Sequence, residues 1–96
     1  MKPISAVLRE LLRQPALAEG LANHAVFPRW SEVVGPHLAI ATRPLRVQGK
    51  TLWIWVESSV LQHQLSLLTP MILDKIRAAA PGTTIDTIRF TMNPEP

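Results

Sequence analysis

The stretch Pro44 to Ser59, PLRVQGKTLWIWVESS, decides how this chain folds. Leu45 and Val47 fall on one face of a first strand, and Leu52, Ile54 and Val56 on one face of a second, because successive side chains in a strand point to opposite sides. Gly49 and Lys50 between them predict a two-residue hairpin turn of type II′, whose first position takes a positive φ that glycine adopts at no steric cost. That register sets Val47 against Leu52 and Leu45 against Ile54 on an aliphatic face. On the opposite face it sets Arg46 across from Trp53, with Trp55 two positions along. Directly after the hairpin, Ser59 and Gln62 have the spacing of a capping box, which predicts a helix starting at Ser59.

Toward the N-terminus, Ile4, Val7, Leu8 and Leu11 recur at helical spacing opposite Arg9, Glu10 and Arg13, and Pro15 closes this short amphipathic helix. So short a helix is marginal alone. It is expected to pack on the domain, with docking on a partner or lipid as the alternative. Leu17, Leu21 and Ala25 predict a second helix from Ala16, which Pro28 kinks or interrupts. Trp30, Val33 and Val34 line the next turns, Gly35 and Pro36 stop them, and a helical piece from His37 to Ala41 precedes the hairpin.

Toward the C-terminus, Val60, Leu61, Leu65 and Leu68 form the apolar stripe of the helix after the hairpin, continued by Ile72, Leu73 and Ile76. Thr69 as N-cap with Pro70 at the first helical position predicts a second helix, and a single kinked helix is the alternative. Pro81 and Gly82 end it. A last strand is expected from about Thr84 to Met92, with Ile88, Phe90 and Met92 inward and Arg89 outward. These elements predict an α+β fold, a two-layer sandwich with helices on one face of a three-stranded sheet. The expected divisions are an N-terminal amphipathic helix over 1–14, the domain over 15–92 and a tail over 93–96.

With 96 residues the chain suits one domain with one core. Hydrophobic residues at 47% and charged residues at 18% mark a folded chain, and a formal charge of +3 permits an anionic partner without demanding one. No cysteine is present, which excludes disulfides and thiolate metal sites and fits an intracellular address. No apolar run approaches the roughly 20 residues a membrane span needs, and Glu10 spoils the N-terminal segment as a signal peptide, so a soluble protein is expected. His24, His37 and His63 lie in separate segments without a carboxylate at metal-ligand spacing, and no serine sits in a nucleophile elbow. The glycines are isolated, so no phosphate loop exists. A binding module that uses no cofactor is therefore favoured over an enzyme.

The outward sheet face is the candidate site. Arg46, Trp53, Trp55 and Arg89 share it, flanked by Arg43 and Lys50, and indole faces beside guanidinium groups can stack unpaired bases while attracting phosphates. Stacking is worth roughly 1–3 kcal/mol per base. The alternative is that the N-terminal helix or a partner chain covers the tryptophans as a second small core. Trp30, on the apolar side of its helix, reads as core, with a partner contact as its alternative role.

Trp30, Val33, Val34, Gly35, Leu38 and Ala39, then Pro44 and Leu52 in the hairpin, Ser58, Ser59 and Leu65, and finally Ile88, Arg89 and Phe90 resemble the DciA family. The resemblance spans about Ala16 to Phe90. It implies a type II KH-like domain (αββααβ) plus an N-terminal helix, and a cytoplasmic, nucleoid-associated protein that binds the bacterial replicative helicase and assists its loading on single-stranded DNA. Two departures bear on this. Where a nucleic-acid-binding KH domain carries a GXXG loop, this chain reads Leu68, Thr69, Pro70 and Met71, and Leu61 stands where the family often has tryptophan. With no long basic tail following the domain either, only weak binding of single-stranded DNA is expected. The candidates for phosphate contact are Arg29, Arg43, Arg46, Lys50 and Arg89, and those for partner contact are Trp30, Trp53 and Trp55. A KH-like RNA-binding module, or a homodimeric protein-interaction domain without nucleic acid, are the alternatives.

Overall fold

The computed structural model describes residues 4–11, 13 and 15–93. Four helices come first: α1 (Ile4–Leu11), α2 (Pro15–His24), α3 (Trp30–Val34) and α4 (Pro36–Ala41). The hairpin β1 (Thr42–Gln48) and β2 (Thr51–Val56) follows, then α5 (Ser59–Leu67), α6 (Thr69–Ala79) and β3 (Thr87–Thr91). The strands form one sheet in the order β1-β2-β3, with β1 antiparallel and β3 parallel to β2. A parallel neighbour requires a crossover, which α5 and α6 supply, and this is what lays helices over one face of the sheet. The result is an α+β two-layer sandwich whose last six elements run αββααβ, consistent with a type II KH-like domain.

The core forms where that face meets the helices. Leu52, Ile54 and Val56 of β2 are 0%, 1% and 0% exposed, packed with Ile88 of β3, Trp30 and Val33 of α3, Leu65 of α5, and Ile72 and Ile76 of α6. Burial of each such aliphatic side chain contributes about 1.5–3 kcal/mol before chain entropy is subtracted. The hairpin turn is the expected one. Gly49 has φ of +63°, while no described non-glycine residue has a positive φ, so Lys50 has the negative φ that separates a type II′ turn from type I′.

The structure corrects several expectations of register and boundary. Val47 pairs with Leu52 and Arg46 with Trp53, but Ile54 pairs with Pro44 rather than Leu45, and the register shifts between Pro44 and Arg46. Proline has no N–H to give the ladder, so the strand bulges there and carries Leu45 as an extra residue. The cap of α5 is Ser58, whose extended backbone (φ −148°, ψ 161°) lets its hydroxyl accept from the Leu61 N–H at 3.2 Å. Ser59 is already helical. Thr69 is likewise inside α6 rather than its N-cap, a position Leu68 holds, and its hydroxyl donates back to the Leu65 carbonyl at 3.5 Å.

Part of the apolar patterning lies outside the core. Leu17 and Leu21 of α2 are exposed, as are Val7 of α1, Val60 of α5 and Leu68. The side chains of Ile4, Leu8 and Leu11, which complete the α1 stripe, lie outside the described ones. β3 starts at Thr87 rather than near Thr84, and Met92 lies past it, 51% exposed. The preceding backbone is held by a side chain instead of a ladder. Buried Asn23 of α2 accepts at Oδ1 from the Thr83 hydroxyl (2.6 Å) and the Thr84 N–H (3.0 Å), and donates from Nδ2 to Thr84 Oγ1 (3.1 Å).

Candidate nucleic-acid interface

Alternation along β2 puts Thr51, Trp53 and Trp55, all half-buried, on the side opposite the core. Register then determines their neighbours. Trp53 lies between Arg46 of β1 and Arg89 of β3, and Trp55 between Arg43 and Thr91. Each indole has an arginine over it: Arg46 Cζ lies 5.1 Å from the Trp53 ring centroid and Arg43 Cζ 5.3 Å from that of Trp55. Each is a cation–π pair, worth about 0.5–1 kcal/mol at an exposed site. Three arginines and no acid occur within the three strands, so this face carries one sign of charge.

The hydrogen bonding of the face is partly open. The Trp55 indole N–H donates to the Met92 carbonyl at 3.2 Å, which ties the end of β3 to the platform. Trp53 Nε1 has no partner among the described residues. Arg46 Nη1 is buried and without a hydrogen-bond partner among them. A buried cationic donor left unpaired costs at least about 1–3 kcal/mol, so an acceptor brought to this residue would recover energy the free protein forgoes.

The structure gathers Arg43, Arg46, Trp53, Trp55 and Arg89 on this one face and disperses the other candidates. Lys50 sits in the hairpin turn at its end, where its carbonyl accepts from the Asp86 (3.0 Å) and Thr87 (3.2 Å) N–H groups and pins the turn to β3. Arg29 precedes α3, within the helical layer, and lies 4.0 Å from Glu32 in an exposed pair. Trp30 is 6% exposed and donates its indole N–H to Thr42 Oγ1 at 3.0 Å, while that hydroxyl donates to the Leu38 carbonyl at 2.6 Å. A side chain so enclosed presents no surface to a partner and belongs to the core.

A second surface was not anticipated. Val60 (68% exposed), Leu67 (69%), Leu68 (38%) and Met71 (50%) form an exposed apolar ridge over α5 and the start of α6, covering the segment where a GXXG loop would lie. Its signal in the sequence is the absence of charge from Ser58 to Leu73, interrupted only by His63. Among the described residues no three His, Cys, Asp or Glu side chains gather into a metal site, and no helix is long and apolar enough to cross a membrane.

Comparison with known proteins agrees with the resemblance noted in the sequence. The family model described as Dna[CI] antecedent, DciA, matches residues 3–90. A UPF0232 protein of Mycobacterium tuberculosis is 28% identical over 90 residues, which cover 94% of this chain and 48% of that protein. A UPF0232 protein of Rhodococcus jostii is 27% identical over the same coverage. The chain thus spans about half the length of the curated relatives it matches.

Proposed function

The chain belongs to the DciA family, and on that premise we propose that it is a non-enzymatic adaptor that binds the bacterial replicative helicase and assists its loading on single-stranded DNA. The family match across residues 3–90 carries the replication context. The sheet face supports the DNA half of the reading: it sets the guanidinium groups of Arg43 and Arg46 over the two indoles, where cation and ring lie side by side for a phosphate and its base. Such a protein works in the cytoplasm, beside the nucleoid. With the GXXG position occupied by Leu68, Thr69, Pro70 and Met71, the strand is held by the sheet face and only weakly.

The test is binding of a single-stranded oligonucleotide across a salt series, together with capture of purified replicative helicase. Replacing Arg43, Arg46 or Arg89 with alanine is expected to weaken oligonucleotide binding and reduce the salt slope by about 0.7 per lost phosphate contact. Unchanged slopes in all three variants would remove the sheet face from the mechanism. No capture of helicase would remove the adaptor role.

A second reading, a protein-interaction domain that does not touch nucleic acid, is favoured by the exposed ridge of Val60, Leu67, Leu68 and Met71. Replacing Leu67 with Asp discriminates. Loss of helicase capture with DNA binding intact assigns the ridge to the helicase, and dissociation of a dimer in sedimentation assigns it to self-association.

A further inference from the structure

A cleft of about 780 Å³ separates α2 from the free edge of β1, with Glu19, Gly20, His24 and Phe27 on the helix side and Arg46 and Val47 on the strand side. Its volume falls in the range of roughly 300–1,000 Å³ typical of ligand sites. Three features say what would fill it. First, β1 is an edge strand, and Gln48 and Thr51 close the two-residue turn as a hydrogen-bonded pair. Because such pairs alternate with non-bonded ones, the Val47 N–H and carbonyl point away from β2, and neither has a backbone partner among the described residues. Secondly, Arg46 brings a buried, unpartnered guanidinium nitrogen to the same strand. Thirdly, the opposite wall is closed by the His24 and Phe27 rings, whose centroids lie 4.9 Å apart.

We propose that this cleft is a docking groove for an extended peptide segment of a partner protein, which pairs its backbone with Val47 as an added strand and sets a carboxylate against Arg46. Strand addition takes its affinity from main-chain hydrogen bonds and its specificity from side-chain pockets, and the groove offers both. Pro44 and the bulge at Leu45 confine the free edge to its turn-proximal end, so the segment is short. A nucleic-acid strand fits less well, because a phosphodiester backbone has no N–H group to give the Val47 carbonyl and so cannot continue the ladder. The groove shares Arg46 with the sheet face, but its other wall is formed by Glu19, Gly20, His24 and Phe27, which lie apart from the tryptophans, so a peptide in the groove and DNA on the sheet face are told apart by the amides they move.

The experiment titrates the whole chain, isotopically labelled, with a short capped peptide alternating valine and aspartate, and reads backbone amide shifts. The expected result is movement of the Gly20, His24, Phe27 and Val47 amides. Binding should weaken at least about tenfold when asparagine replaces the aspartates, the effect of one charge-assisted hydrogen bond. Gly20→Leu supplies a variant that keeps its fold. An added Cβ at Gly20 meets nothing within 4 Å, and leucine favours a helix over glycine, so the substitution fills the groove while supporting α2. It should abolish the cleft shifts. No cleft shifts at millimolar peptide, equal binding of the asparagine peptide, undiminished binding by Gly20→Leu, or movement of the Gly20, His24 and Phe27 amides by a single-stranded oligonucleotide instead would each overturn the proposal.

Discussion

The two faces of β2 are built from alternate residues of a single six-residue strand, and they obey different rules. On the inner face Leu52, Ile54 and Val56 are closed off completely, and each is held by close packing that tolerates little change. On the outer face Trp53 and Trp55 lie half-buried beside arginines, and the Trp53 indole N–H and the Arg46 Nη1 have no hydrogen-bond partner among the described residues. The inner face satisfies itself. The outer face is left with hydrogen-bonding capacity that only another molecule can use.

The sharpest way to break this contrast is Ile54→Ala. It should cost about 2–5 kcal/mol in urea denaturation, through lost transfer energy and a residual cavity. A loss below about 1 kcal/mol would mean the helices do not close over the sheet. Trp30→Phe comes next. It removes the donor to Thr42 while keeping most of the ring, with an expected cost of about 1–3 kcal/mol and no change in DNA or helicase binding. Altered partner binding at unchanged stability would return Trp30 to the surface.

Smaller effects sharpen the comparison. Ser58→Ala should cost about 1 kcal/mol, and Ser59→Ala less than about 0.5 kcal/mol, because only Ser58 caps α5. Thermal melts of the two variants check this directly. Smallest in stability is Arg46→Met, expected to lie within about 0.5 kcal/mol of the parent or above it, since an unpaired buried donor disappears. The same variant should bind single-stranded DNA more weakly. A marked loss of stability in Arg46→Met would show that the outer face, too, is built for the fold.

Much of the inner face was legible in the sequence because its causes are local. Alternation from Leu52 to Val56 follows from the strand period, and Gly49 with Lys50 determined the turn and with it the pairs nearest to it. Legibility decayed with distance from that turn: at Pro44 a missing N–H shifted the register, which no periodicity records. The cap slipped by one residue because two serines adjoin, and only backbone conformation selects Ser58. Hydrophobic spacing assigned Val60 and Leu68 to the core, yet spacing says only which residues share a face, and α5 buries Leu65 while Val60 stays outside. The Asn23 latch on Thr83 and Thr84 joins positions about sixty apart in sequence, beyond any local pattern.

On the outer face, the pairing of Arg46 with Trp53 follows from register near the turn, and the partnership of Arg43 with Trp55 exists because the bulge shifts the register, so that Arg43 rather than Pro44 faces Trp55. Trp30, which helical position leaves between core and partner contact and which stands among the partner-contact candidates, is buried, and the hydrogen bond to Thr42 gives the chemical reason. The groove beside β1 left no trace in composition or spacing, because it is a void between segments far apart in the chain.

The parallel placement of β3 has a consequence for the order in which this molecule assembles. The hairpin closes through neighbours and can form within about 1–10 μs. β3 reaches β2 only after the α5 and α6 crossover is in place, and the Asn23 latch closes a loop about twice as long from the other side. Until then the second edge of β2 stays open, carrying valine, isoleucine and tryptophan side chains of high β-propensity. During that interval the chain is open to strand exchange with other copies of itself, and the speed of crossover docking limits how concentrated a refolding solution can be before aggregates form.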